Sequence, residues 1–192
     1  GKNLVGKIAG NDPNGQHRNW NAEGIVGWDG GLAGPGPNSP DALVSHWFTA
    51  IASNASRWAA MDPPIDFQGN PISQVYVTSE GLDLSRLIRT FLLGAVAFSQ
   101  AIDDYLDDDV QGKGLLVDNA PLEGRVYSPL ENNWDEAFGY FGAARDILAY
   151  TADEVARKGG RDDWQGHHDS DEDGVIDLTR EYNFGFASYA AK

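Results

Sequence analysis

The sequence predicts an all-α fold, a helical bundle forming a single domain over residues 1–192. It adds a glycine-rich, loop-dominated arm at residues 1–40 and at most a minor two-stranded ribbon. Three observations carry this. Apolar residues recur at spacings of three and four over three long segments, which is the period of amphipathic helices and not of strands. Two of those segments open on a serine cap followed by proline and close on proline or glycine. Only residues 74–78 and 124–127 carry short β-branched or aromatic runs, and two such pieces make a ribbon rather than a sheet.

The arm holds a strong turn signal, Asn11-Asp12-Pro13-Asn14-Gly15, and a Gly34-Pro35-Gly36-Pro37 run. Trp20, Ile25, Val26 and Trp28 give it something to bury, so it is expected to lie ordered over the helices. Ser39-Pro40-Asp41 starts the first helix, Val44, Trp47, Phe48, Ile51, Ala55 and Trp58 mark its buried stripe, and Asp62-Pro63-Pro64 ends it. A second helix is expected over residues 82–106, apolar around more than half its circumference and therefore central. At its end Asp103, Asp104, Asp107, Asp108 and Asp109 crowd the negative end of the helix dipole. The expectation there is a fully solvated acidic end, with a bound cation as the alternative.

The third helix is expected to run unbroken over residues 128–158. Ser128-Pro129-Leu130-Glu131 combines a cap, a first-turn proline and the acid of a capping box. Leu130, Trp134, Ala137, Phe138, Phe141, Leu148, Ala152 and Val155 form its apolar face, and Lys158-Gly159-Gly160 ends it. An acidic loop follows at 161–181, and a last helix near Leu178 shows Tyr182, Phe186 and Tyr189 on one face. That helix is still periodic at Lys192, and the chain opens on Gly1 rather than Met, so the sequence is expected to be a piece of a longer polypeptide.

Composition narrows the function. A net charge of −15 repels phosphate backbones and anionic headgroups, which argues against nucleic-acid and membrane-surface partners and suits cations. With no cysteine, thiolate metal sites and disulfides are excluded. The longest apolar run, residues 91–98, is far too short to cross a membrane. Nucleophile elbows, H-E-x-x-H, phosphate-binding loops and dinucleotide fingerprints are absent, so no catalytic residue is assigned.

Asp169-Ser170-Asp171-Glu172-Asp173-Gly174-Val175-Ile176-Asp177 is the sharpest motif. Carboxylates at loop positions 1, 3 and 5 converge on one hard cation where a glycine at position 6 allows the tight turn. Val175 then offers a backbone carbonyl and Asp177 a further carboxylate, a donor set that suits Ca²⁺. Position 12 holds Arg180 in place of the usual glutamate, and Glu181, one residue on, is the expected substitute ligand. Weaker candidates are Glu131, Asp135 and Glu136, near carboxylates on the first turns of the third helix. They suit acid–base work or a cation, and equally the positive end of the helix dipole.

Asn133-Trp134-Asp135-Glu136-Ala137-Phe138-Gly139-Tyr140-Phe141-Gly142 resembles the signature of the DUF4856 family of bacterial envelope proteins. Gly81-Leu82-Asp83-Leu84, Gly94-Ala95-Val96 and Asp103-Asp104-Tyr105-Leu106 resemble its preceding helix, and Glu181-Tyr182-Asn183-Phe184-Gly185 its next element. The resemblance spans about Lys7 to Lys192. It implies kinship to the imelysin-like (M75 peptidase-like) proteins: an imelysin-like helical bundle, further helices beyond Lys192, and export to the periplasm, an outer-membrane lipoprotein or the cell surface. It also implies iron as a cofactor and a G-x-H-x-x-E motif whose glutamate falls on Glu136. Asn133 stands where that motif has histidine, and an amide is neither a good transition-metal ligand nor a general base. The expected function is therefore a non-catalytic envelope binding or assembly protein with a structural calcium loop, acting on an envelope protein partner or by self-assembly. The alternatives are an iron-uptake component and, last, an M75-like peptidase.

Overall fold

A computed structural model describes residues 4–10, 18, 39–162 and 167–192. The turn at Asn11–Gly15, the Gly-Pro run and Trp20, Ile25, Val26 and Trp28 lie outside the described residues. The described part is helical with no strand, as the period predicts; isolated bridges join Ile65 to Pro71, Val77 to Asp83 and His167 to Tyr182. Val77 pairs with Asp83, and Asn54 Nδ2 holds this segment by donating to the carbonyls of Val75 (3.0 Å) and Val77 (3.3 Å). The chain divides into two compact units, Gly1–Ser99 and Gln100–Lys192.

The first unit is built on α1 (Pro40–Ala59) and α2 (Leu84–Ala97). Proline occupies the first turn of α1, and Asp83 caps α2 by accepting from the Arg86 amide. Val44, Ile88 and Ala95 close around Ile8 from the start of the arm, with Trp47 packed edge-on to Phe91 at 5.3 Å. Helical backbone continues past α2 as a π-helix, Phe98–Tyr105, and the Leu106 amide donates to Ala101, five residues back. Such wide turns change which side chains face inward. Asp103 and Asp107 are buried, at 4 % and 2 % exposure, so the solvated acidic end is corrected for these two. The chain reverses over them: Asp107 Oδ1 accepts the amides of Asp109 and Val110, its carbonyl accepts Leu115, and Asp104 lies 3.9 Å from Lys113. Asp108 and Asp109 remain exposed.

In the second unit the helix expected over 128–158 is divided. α3 is Pro129–Phe141; a 3₁₀ turn at Ile147–Ala149 and a short α4 at Ala152–Val155 follow. Gly142 ends α3 in the left-handed region (φ 79°), and its carbonyl accepts the Phe184 amide at 2.8 Å, a bond from outside the helix. The expected apolar face is disrupted accordingly. Ala137 and Val155 are buried, while Trp134, Phe138 and Phe141 are about half exposed and Leu148 is almost fully so. The last helix, α5, is Gly185–Ala190 and begins later than expected. Before it, Asn183 is fully buried and accepts the Ala144 amide at 2.9 Å, which holds this stretch out of helical geometry. The core of this unit gathers Ala144, Tyr150 and Val155 with Ile147 and Ala191.

The start of α3 is as the sequence predicts. Ser128 Oγ accepts from Glu131 N at 3.2 Å, Glu131 Oε2 accepts from Ser128 N at 2.7 Å, and Ser128 Oγ donates to Asn119 at 2.8 Å. A Ser128→Ala variant is expected to lose about 1–2 kcal/mol in urea unfolding. A Ser128→Thr variant, which keeps the hydroxyl, is expected to lose much less.

Candidate functional site

The acidic loop folds on its own carboxylates. Asp169 accepts the Asp173 amide through Oδ1 (3.2 Å) and the Gly174 amide through Oδ2 (2.8 Å), and Asp173 Oδ1 accepts the Val175 amide (2.8 Å). Gly174 takes the left-handed turn (φ 81°) that its place in the motif requires. The result brings carboxylate oxygens of Asp169, Asp171 and Asp173 within 4.8 Å of one another. Asp169 is half-buried and the other two are exposed. Like charges this close repel, and a hard cation would relieve them. Arg180 Nη1 partly does so, donating to Asp171 Oδ2 at 3.1 Å.

The remaining predicted ligands stand differently. Val175 is exposed. Asp177 accepts the hydroxyl (2.7 Å) and amide (2.8 Å) of Thr179, which hold its carboxyl below the usual range. Glu181, 1 % exposed, fastens the loop from beneath. It accepts the Ser170 amide (2.7 Å) and hydroxyl (3.0 Å) and the Asp177 amide (2.9 Å). Those amides, Asp177 first, depress its pKa. Sequence spacing gave no sign of this second role for Glu181.

Tyr150 was not singled out by the sequence either. Its hydroxyl donates to the carbonyls of Glu181 and His168, which ties both ends of the loop to the core of this unit. Burial, then the charge of Asp146, pushes its pKa up to about 12, so it stays a donor at any ordinary pH. His167 packs on Tyr182 and His168 on Tyr150 by ring contact, and neither joins the acidic group.

The three weaker candidates separate. Glu131 belongs to the capping box. Asp135 and Glu136 are exposed along α3 and line a shallow depression with Asn132, Gly139 and Tyr140. Asn133 does not face them as a ligand would, because its Nδ2 donates to the Gly114 carbonyl at 2.7 Å. Among the described residues, the group of three potential metal-ligating side chains is the one in the acidic loop.

The chain is thus an all-α protein in which, among the described residues, the group of converging acids is an acidic loop tied through Tyr150 to a small apolar core. It belongs to the DUF4856 family, described as a domain of unknown function, which it matches over residues 48–165, from within α1 to the edge of the acidic loop. No curated protein matches it, and no solved structure does. No helix among the described residues is long and apolar enough to cross a membrane.

Proposed function

We propose that this chain is a non-catalytic binding or assembly module of the bacterial envelope, with an acidic loop that takes one structural Ca²⁺. The observation that carries the calcium reading is the convergence of Asp169, Asp171 and Asp173 within 4.8 Å in a loop already closed on its own amides. The donor set is all oxygen, which fits a hard cation, and the residues that would hold it are these three with the Val175 carbonyl and Asp177. Glu181 supports the arrangement by joining Ser170 at the start of the loop to Asp177 near its end. The non-catalytic reading draws on the fixed roles of Glu131 and Asn133, which leave Asp135 and Glu136 without a histidine or nucleophile beside them. The envelope location rests on the family resemblance, and fractionation of cells expressing the protein tests it.

Calorimetric titration of CaCl₂ into chelator-treated protein is expected to give a one-site heat and a melting temperature that rises with Ca²⁺ and falls back with EDTA. An Asp169→Asn/Asp171→Asn/Asp173→Asn variant is expected to show neither. Arg180→Gln, which removes the competing guanidinium from Asp171, is expected to bind severalfold more tightly. No heat and an unmoved melting curve in the wild type would sink the calcium reading.

A further inference from the structure

We propose that α3 carries a docking groove for a basic, amphipathic helix of a partner protein. This rests on the reading of the chain as a binding module and not on its calcium loop. Trp134, Phe138 and Phe141, spaced by four and three along one face of α3, are 55 %, 41 % and 38 % exposed. Beside them Phe138, Gly139, Gly142, Leu178 and Phe184 line a depression of about 450 Å³. It meets a second, of about 390 Å³, across Asp135 and Gly139. Together they make an open groove lined by Phe138, Tyr140, Leu178 and Phe184 and by the carboxylates of Asp135 and Glu136.

Gly139 decides what the groove is for. It lies inside a helix, where glycine weakens the helix relative to alanine. Yet a Cβ built on it meets nothing within 4 Å, so no packing among the described residues requires the bare backbone. The use such a glycine serves is close approach by something from outside. A helix laid in the groove would bring its apolar face to the Gly139 surface, anchored at spacings of three and four. A strand has no sheet edge to join among the described residues.

Charge selects the occupant. The carboxylates of Asp135 and Glu136 make no hydrogen bond or ion pair among the described residues, and both line the groove. With a net charge of −15, a second copy of this chain is repelled and a lysine- or arginine-bearing helix is drawn in. Arg145, beside Leu178 and Thr179, is the cation among the groups that line the larger depression.

The test uses two labelled peptides of about 18 residues, long enough to span the groove as a helix. Both carry leucine at helical spacing; one has lysine and the other glutamate at the remaining positions. By fluorescence anisotropy the Leu/Lys peptide is expected to bind and the Leu/Glu peptide not to. Gly139→Leu fills the groove without changing charge, and is expected to weaken binding about tenfold or more. It is expected to melt no lower than wild type and to keep the calcium heat, because the added side chain has open space and leucine is a better helix former than glycine. Asp135→Asn/Glu136→Gln is expected to weaken binding severalfold with a shallower salt dependence. The proposal is overturned if the Leu/Lys peptide fails to bind, if it binds Gly139→Leu as tightly as wild type, or if the Leu/Glu peptide binds equally. It is also overturned if sedimentation shows a dimer that Gly139→Leu disperses, since the occupant would then be a second copy. Calcium heat is measured on the same samples, so failure here is distinguishable from failure of the loop.

Discussion

A Glu154→Ala variant is expected to melt roughly 10 °C below the wild type at neutral pH, by loss of a buried charge-assisted network. Glu154 is 1 % exposed, and its carboxylate accepts four hydrogen bonds. Arg161 donates from Nε (2.6 Å), Nη2 (2.9 Å) and its amide (3.2 Å), and Thr151 from its amide (2.8 Å). The group closes the Thr151–Glu154 capping box and also fixes the path of the chain into the acidic loop at Arg161. Gly160 is pressed against it so closely that a Cβ there would lie 2.1 Å from Glu154 Cγ. Truncation strips two amides and a part-buried guanidinium of their acceptor, which is the costly way to break such a pair.

The same residue sets a pH dependence. Arg161, through its side-chain hydrogen bonds, holds the Glu154 carboxyl well below the usual value of 4.5. A depressed folded-state pKa means the stabilisation is complete above the unfolded value and is lost as pH falls toward the folded one. Glu181 and Asp177 are depressed as well and act in the same direction. Wild-type melting temperature should therefore fall steadily below about pH 5. Glu154→Gln should start lower and fall less steeply over that range. Parallel curves for the two proteins in thermal circular dichroism would show that Glu154 is not a source of the acid lability.

What the sequence discloses and conceals follows from the range of the interactions involved. The starts of α1 and α3 depend on residues within four positions, and both stand where cap and proline place them. The acidic turn is likewise local, with carboxylates and glycine in a fixed short pattern, and three of its members do converge. The break after Phe141 is different. Apolar spacing runs on to Val155 without a proline, and the helix stops where Gly142 turns left-handed and its carbonyl accepts the amide of Phe184, far along the chain. One local sign of the break is present all the same. Thr151-Ala152-Asp153-Glu154 is itself a capping-box pattern, a helix start in the middle of an apparent helix. The ion pair of Glu154 with Arg161 carries no comparable sign, since a separation of seven has that meaning only once the chain turns at Gly159 and Gly160.

Gly142→Ala is expected to cost about 3 kcal/mol, the sum of left-handed strain and a backbone collision. The residue sits at φ 79° and ψ 25°, donates to the Phe138 carbonyl at 3.1 Å and accepts from the Phe184 amide. A Cβ would lie 2.6 Å from the Phe184 carbonyl oxygen and 3.1 Å from its carbon, and backbone cannot swing aside as a side chain can. Phe184 directly precedes α5 and walls the groove on α3, so the displacement would spread to both. Two companion variants divide the cost. Asn tolerates the left-handed region yet keeps the colliding Cβ, so Gly142→Asn should be nearly as damaging as alanine if close approach dominates. Gly139→Ala, three residues earlier on the same helix with open space around it, should instead stabilise by up to about 1 kcal/mol. Urea unfolding of the three proteins gives the comparison directly, and exchange of the Phe184 amide reports whether its bond to Gly142 survives. A Gly142→Asn protein as stable as wild type would mean that conformation alone selects glycine here, and that Phe184 yields without cost.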